Sequence, residues 1–85
     1  MSINLTSVSD LNSVTGWVLF AADWCQPCKR LKPHIIDYID YVYDVGDQVP
    51  ADIQGVPTIR YYEFGVVEDE IVAPSPAAFR QWRGV

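Results

Sequence analysis

The sequence predicts an α/β domain with a mixed central sheet of about five strands flanked by short helices. Three observations lead there. Runs rich in apolar, β-branched and aromatic residues recur at 17–22, 41–45, 58–64 and 66–72, as strands require. Between the first two runs, apolar residues fall at steps of three and four, the period of a helix packed along one side. Thr15-Gly16, Gly46-Asp47 and Gly65 punctuate the pieces with residues that favour turns. The 85 residues show no internal repeat and read as one domain, 1–85. A chain of this size buries roughly 60–65% of its unfolded surface, so its core is thin.

Taken in order, residues 2–6 alternate Ile3 and Leu5 with polar neighbours, which suits a short strand. Val8, Leu11 and Val14 then have helical spacing among serine, asparagine and aspartate, weak helix formers that support one or two turns. Residues 17–22 are almost continuously apolar, the pattern of a central strand covered on both faces. From Cys28 onward Leu31, Ile35, Tyr38, Ile39 and Val42 define an amphipathic helix, with Lys29, Arg30, Lys32, Asp37 and Asp40 opposite. Pro27 suits its first turn, and Pro33 is expected to kink it. Residues 41–45 already carry strand chemistry, so the border between helix and strand falls within several residues of Val42.

Residues 48–55, with Pro50 and Gly55, leave room for no more than one helical turn. A second convincing strand covers 58–64. After Gly65 an edge strand at 66–72 carries Glu68, Asp69 and Glu70, charges that oppose edge-to-edge aggregation. Ser75-Pro76 is a helix cap followed by a first-turn proline. Ala77, Phe79, Arg80, Trp82 and Arg83 form the closing helix, its cations near the C-terminal end of the dipole. The parallel pairings in the first half call for right-handed crossovers.

The hydrophobic share of 49% is too high for disorder. No apolar run approaches the roughly 20 residues of a membrane span. Met1-Ser2-Ile3-Asn4 lacks the basic start and apolar stretch of a signal peptide. The expected setting is the cytoplasm, without membrane association, and the expected state a monomer. A net charge of −5 speaks against nucleic acid as a partner. Lys29, Arg30 and Lys32 are nonetheless half of the six basic residues, and they crowd the first turns of the helix after Cys25. A local field that favours a thiolate is the better use for them than an RNA footprint.

The chain contains two cysteines, Cys25 and Cys28, where a strand gives way to a helix. Unpaired N–H groups and the positive end of the macrodipole at a helix N-terminus favour a negative charge. A free thiol with a pKa of about 8.5 is only about 3% ionised at pH 7, so this placement matters to reactivity. A disulfide closing so short a loop contributes only about 2 kcal/mol by chain entropy. As a reversible electron carrier the spacing is well suited, because the second thiol is always within reach of a mixed disulfide on the first. Cys25 is therefore read as the attacking thiol and Cys28 as the resolving one. Half a zinc site is the competing reading, but with only His34 in addition the chain falls short of four ligands. No metal and no cofactor are expected. His34 reads as a partly exposed helix residue and Asp23 as a solvated loop charge. Trp17, Phe20, Phe79 and Trp82 are assigned to packing, and Trp24 to either the core or a partner surface.

The hexapeptide Trp24-Cys25-Gln26-Pro27-Cys28-Lys29, Pro33 inside the following helix, and Gly55-Val56-Pro57-Thr58 before a later strand together resemble the thioredoxin family. The resemblance runs from about Ser2 to Trp82, with the stretch between Cys28 and Pro57 compressed. It implies the thioredoxin-like fold, a cis Val56-Pro57 bond with Pro57 packed against the disulfide, and a thiol–disulfide oxidoreductase. It further implies electrons from a thioredoxin reductase and disulfide-containing clients such as ribonucleotide reductase. Pro27 and Lys29 then shape the thiolate's surroundings, and Trp24, Gln26, Val56, Pro57 and Ala73 meet the client. A free backbone at Val56 suits pairing with an extended peptide, strand to strand.

Three departures from the family pattern stand out. Leu19 occupies the central-strand position where thioredoxins usually carry a buried aspartate thought to relay protons to the resolving thiol. The expectations are a core relieved of a costly carboxylate and slower resolution, or a water or Asp23 in its stead. Gln26 stands where glycine is common between the cysteines, and Val72-Ala73-Pro74 replaces a glycine after the last strand, which would narrow or reshape the groove. Two rivals remain. A glutaredoxin-like, glutathione-dependent reductase is disfavoured because proline adjoins the second cysteine and no Gly-Gly-Asp clamp follows Val72. A redox-inert binding subunit of the same fold would keep its activity without either cysteine.

Overall fold

The computed structural model describes residues 2–85; Met1, the first residue of the domain range and of the N-terminal reading above, lies outside them. Five strands form one sheet: β1 (Ile3–Leu5), β2 (Gly16–Ala21), β3 (Tyr41–Asp44), β4 (Thr58–Glu63) and β5 (Val66–Val72), in the order β1-β3-β2-β4-β5. β3 runs parallel to both β1 and β2, while β4 is antiparallel to β2 and to β5. The mixed sheet is the expected one, with β2 in the middle and the acidic strand β5 at an edge.

A 3₁₀ helix (Val8–Ser13) follows β1, the helix α1 (Gln26–Ile35) follows β2, and α2 (Pro76–Arg83) closes the chain. Ser7 starts the 3₁₀ helix with a capping box shared with Asp10, which satisfies two otherwise orphaned N–H groups. Ser75 caps α2 through its hydroxyl, which accepts from Ala78 N–H, a contact whose loss costs about 1 kcal/mol.

α1 ends earlier than its apolar spacing suggests. It stops at Ile35, a short 3₁₀ turn (Ile36–Tyr38) follows, and Val42 belongs to β3. Ile39 and Val42 are buried as the spacing anticipates, but neither is helical. Pro33 removes an N–H donor from the last turn, and the β-branched pair Ile35-Ile36 gives poor helix propagation. The chain tightens there and turns back to the sheet.

Ladder register sorts the sheet into two faces, because directly opposed residues share a face. Val18, Phe20, Tyr43, Thr58 and Arg60 fall on one; Leu19, Ala21, Val42, Asp44 and Ile59 fall on the other. Val18, Leu19, Phe20 and Ile59 are all buried, with Leu31 and Ile35 of α1 and Phe79 of α2. Trp17 packs on Tyr61 with ring centroids 4.4 Å apart, and the Arg83 guanidinium lies 3.6 Å from the Trp17 ring centre. α2 is thus fastened to the Leu19 face. The assignment of Trp17, Phe20, Phe79 and Trp82 to packing agrees with these contacts. Among the described residues no helix is long and apolar enough to cross a membrane.

Candidate redox site

β2 delivers the chain to a tight turn in which Cys25 N–H bonds back to the carbonyl of Ala22 at 3.1 Å. Cys25 is the N-cap of α1, with extended backbone (φ −92°, ψ 105°), and its carbonyl accepts the Lys29 N–H at 3.2 Å. Its sulfur does what a serine or aspartate oxygen does at other helix starts: it accepts the Cys28 N–H at 3.2 Å. Gln26 and Pro27 occupy the first two helical positions; proline is at home there because no intrahelical partner exists for its missing N–H.

Cys25 and Cys28 form a disulfide with Cα atoms 5.2 Å apart. Both are buried side chains, but they are flanked by exposed ones. Trp24 is 55% exposed and its indole N–H donates to the carbonyl of Gly46 at 2.7 Å, so the ring is held at the surface instead of entering the core. Gln26, Pro27, Lys29 and Arg30 are exposed as well. Asp44 accepts the Gly46 N–H at 2.9 Å, which fixes the turn that holds Trp24.

On the other side of the sulfurs lies the segment leading into β4. The Val56-Pro57 bond is cis, Pro57 is buried and Val56 half-buried. The Cys25 sulfur is 3.5 Å from the carbonyl oxygen of Val56; in the disulfide the sulfur carries no hydrogen, and in the thiol form this oxygen is an acceptor within reach. Ala73, exposed, donates its N–H to the carbonyl of Pro57 at 2.8 Å. It adopts φ 47°, a left-handed conformation that glycine would adopt freely. The backbone here has a glycine's shape without a glycine.

The structure thus places Val56 beside the Cys25 sulfur, with Trp24, Gln26 and Pro27 next to that cysteine in the chain and Ala73 bonded to Pro57. Lys29 is set apart. With Lys32, Asp23, Asp44, Ala21, Ala22, Val42 and Cys28 it lines a cavity of about 120 Å³ on the Leu19 side of the sheet. Leu19 itself is buried among apolar neighbours, so no carboxylate reaches Cys28 from the core. Among the described residues Asp23, Asp44, Lys29 and Lys32 are the charged ones that line this cavity with it. The second carboxylate there, Asp44, escapes a reading of the sequence; its signal is the alternation along β3, which places it on the same face as Val42 and Leu19.

Arg60 and Asp52 were also silent in the sequence. Arg60 is 6% exposed on β4, and its guanidinium holds Asp52 through the carboxylate at 2.9 Å and the backbone carbonyl at 2.8 Å. That grip keeps the Asp52 carboxyl below its ordinary value of 3.8, chiefly through the hydrogen bond from Arg60. His34 is exposed. Among the described residues no group of three or more His, Cys, Asp or Glu is placed to hold a metal ion.

Comparison with known proteins points the same way as the geometry. No protein-family model matches the sequence. The chain is 31% identical to thioredoxin-2 of Saccharomyces cerevisiae, across 73% of this chain and 70% of that protein. It is 30% identical to a thioredoxin of Geodia cydonium, over the same shares. Among solved structures it superposes on the thioredoxin of Plasmodium falciparum with a TM-score of 0.79 at 26% identity, covering 99% of this chain and 97% of that one. The Malassezia sympodialis thioredoxin gives a TM-score of 0.80 at 24% identity, covering 99% and 89%, a likeness of fold.

Proposed function

The chain belongs to the thioredoxin family and is a thiol–disulfide oxidoreductase with protein-disulfide reductase activity, and from that premise we propose how its residues divide the work. Cys25 is the nucleophile. The observation that carries this is its sulfur at the N-cap of α1, accepting the Cys28 N–H. A thiolate at that position replaces a weak acceptor with an ionic one, which strengthens the hydrogen bond and meets the positive end of the helix dipole.

In the first step the Cys25 thiolate attacks one sulfur of a client disulfide. A mixed disulfide forms, and the other client sulfur leaves as a thiolate that takes a proton from water. Cys28 then loses its proton and attacks the Cys25 sulfur. The Cys25–Cys28 disulfide forms, the second client sulfur leaves and is protonated, and two electrons have passed to the client. Val56 offers backbone to an extended client segment, while Trp24, Gln26, Pro57 and Ala73 border it. Pro27 sets the start of the helix and Lys29 adds a cation one residue beyond Cys28.

The proton of Cys28 leaves through the cavity. Its volume of about 120 Å³ is well above the roughly 10–15 Å³ that one water needs, and Asp23, Lys29, Lys32 and Asp44 in its walls offer polar partners. A water there accepts the proton, with Asp23 and Asp44 as the nearby bases and Lys29 and Lys32 balancing their charge. This is the substitute for the carboxylate that Leu19 displaces.

Family membership implies disulfide-bearing client proteins and a reductase in general. Within that we propose a single domain over 1–85, acting as a cytoplasmic monomer in electron transport and redox homeostasis. A thioredoxin reductase serves as donor and ribonucleotide reductase is one client. Insulin reduction followed by turbidity tests the assignment. Turnover is expected with a thioredoxin reductase and NADPH, lost in Cys25→Ser, while Cys28→Ser accumulates a mixed disulfide. Turnover with glutathione alone would instead assign the chain to glutathione-dependent reduction.

A further inference from the structure

Among the described residues Arg60 is the one charged residue that is buried. Its side chain is 7% exposed, its guanidinium lies 5.8 Å from the ring centre of Phe20, and its Nε is buried without a hydrogen bond, 3.6 Å from a Glu70 oxygen. Removing a guanidinium from water is costly, and a well-packed apolar side chain in the same place is often at least as stable. Neither ion partner redresses the balance: Glu70 stands 3.6 Å away without a hydrogen bond to the guanidinium Nε. The Asp52 side chain is 72% exposed, so solvent weakens that attraction. What the burial secures is position.

Residues 45–57 contain no strand or helix and end at the client-facing backbone. β4 holds this segment at two places from one face. Thr58 donates its hydroxyl to the carbonyl of Gly55 at 2.6 Å. Arg60, two residues further along the same face, donates to the carboxylate and to the carbonyl of Asp52. Between the two grips lie Ile53, buried, and Gln54, exposed. The face that carries these fasteners also carries Phe20 of β2, the strand that leads to Cys25. One buried cation thus touches both the strand that presents the nucleophile and the segment that presents Val56.

We propose that Arg60 is a positioning residue for client binding: by holding Asp52 from beneath, it fixes the backbone of 52–56 in the shape that offers Val56 to a client peptide beside Cys25. The inference rests on the assignment of Val56 as a client-pairing residue. Arg60 touches neither client nor sulfur. Its removal loosens the segment before binding, and the client must then bear the cost of ordering it.

The test uses pre-reduced protein in single turnover against two oxidants, insulin and bis(2-hydroxyethyl) disulfide, which has no peptide backbone. Arg60→Met is expected to raise the half-saturating insulin concentration about five- to tenfold. Its limiting rate should stay within about twofold of wild type, and the small disulfide should react as before. Arg60→Lys, able to reach one acceptor but not to fork, should recover part of the loss. Amide exchange at 53–56 should quicken. Equal slowing toward both oxidants, or an unchanged half-saturation with a lower melting temperature, would show a merely structural role and overturn the proposal. Should Arg60→Met fail to fold, Asp52→Ala decides, since its exposed side chain supports no core. A rise of about two- to threefold in half-saturation sustains the proposal and no rise overturns it. Wild-type protein that reduced neither oxidant would indicate failure of the redox assignment itself, a result distinct from either.

Discussion

The N–H of Ala73 donates to the carbonyl of Pro57 across 2.8 Å, and Ala73 makes that bond from a left-handed backbone at φ 47°. An L residue there costs roughly 1–2 kcal/mol; glycine relieves that strain, while its more flexible unfolded chain offsets about 0.4–1 kcal/mol of the gain. Ala73→Gly is therefore expected to stabilise the protein by about 0.5 kcal/mol and to leave reduction of insulin intact. Urea unfolding measures the difference; a clear loss of stability would mean that the methyl group packs usefully against a neighbour.

The two thiols should ionise unequally. Cys25, at the N-cap, is expected to titrate below the ordinary thiol value of about 8.5 and before Cys28. Alkylation of each single-cysteine variant against pH reads this directly. Lys29→Ala should shift the Cys25 curve upward only slightly, because Lys29 is exposed and lines the cavity on the Cys28 side. Equal alkylation profiles for both thiols would remove the electrostatic basis of the proposed division of labour.

Resolution of the mixed disulfide should depend on the cavity carboxylates. In the double variant Asp23→Asn, Asp44→Asn the second step is expected to slow about tenfold at pH 7, below the full worth of a directly placed base because the transfer runs through water. At alkaline pH, where Cys28 ionises unaided, the rates should converge. Asparagine at 44 still offers an oxygen to Gly46 N–H, so the Trp24 turn survives. Coincident pH profiles for variant and wild type would place the proton's exit elsewhere.

Asp52 gives an acid-side signature. Its folded pKa is depressed, chiefly by the Arg60 hydrogen bond, so its stabilising contribution is complete above the unfolded value and disappears as pH falls through the folded one. Against Asp52→Asn, wild type should keep a small constant advantage above about pH 5 and lose it progressively below the ordinary carboxylate range. Salt should diminish the advantage, since the carboxylate is largely exposed. Urea unfolding from acid to neutral pH checks both; an advantage that grows on acidification would contradict the ion pair.

Much of the site was legible because its parts are local. The hexapeptide from Trp24 to Lys29 lies within two turns of chain, and Gly55-Val56-Pro57-Thr58 is contiguous. The strands announced themselves by composition, and β2 by its unbroken apolar run. What could not be read depends on tertiary pairing. Arg60 sits in a strand whose alternation puts it beside Thr58 and Tyr62, but nothing in the sequence says that this face is covered or that Asp52 folds over it. Asp44 read as one more residue of the strand at 41–45; it ends β3 and also lines a cavity. Ala73 gave no warning of its backbone, since the usual glycine is missing. The end of α1 was obscured because Ile39 and Val42 are buried for reasons unrelated to a helix.

The segment between β3 and β4 is gripped at both ends: the Trp24 indole holds the carbonyl of Gly46, and β4 holds Asp52 and Gly55. A rope tied at both ends is indifferent to slack between the knots. Between these grips, at the exposed Asp47 and Gln48, the chain can be lengthened or trimmed at little entropic cost. The docking edge beside Cys25 would keep its form.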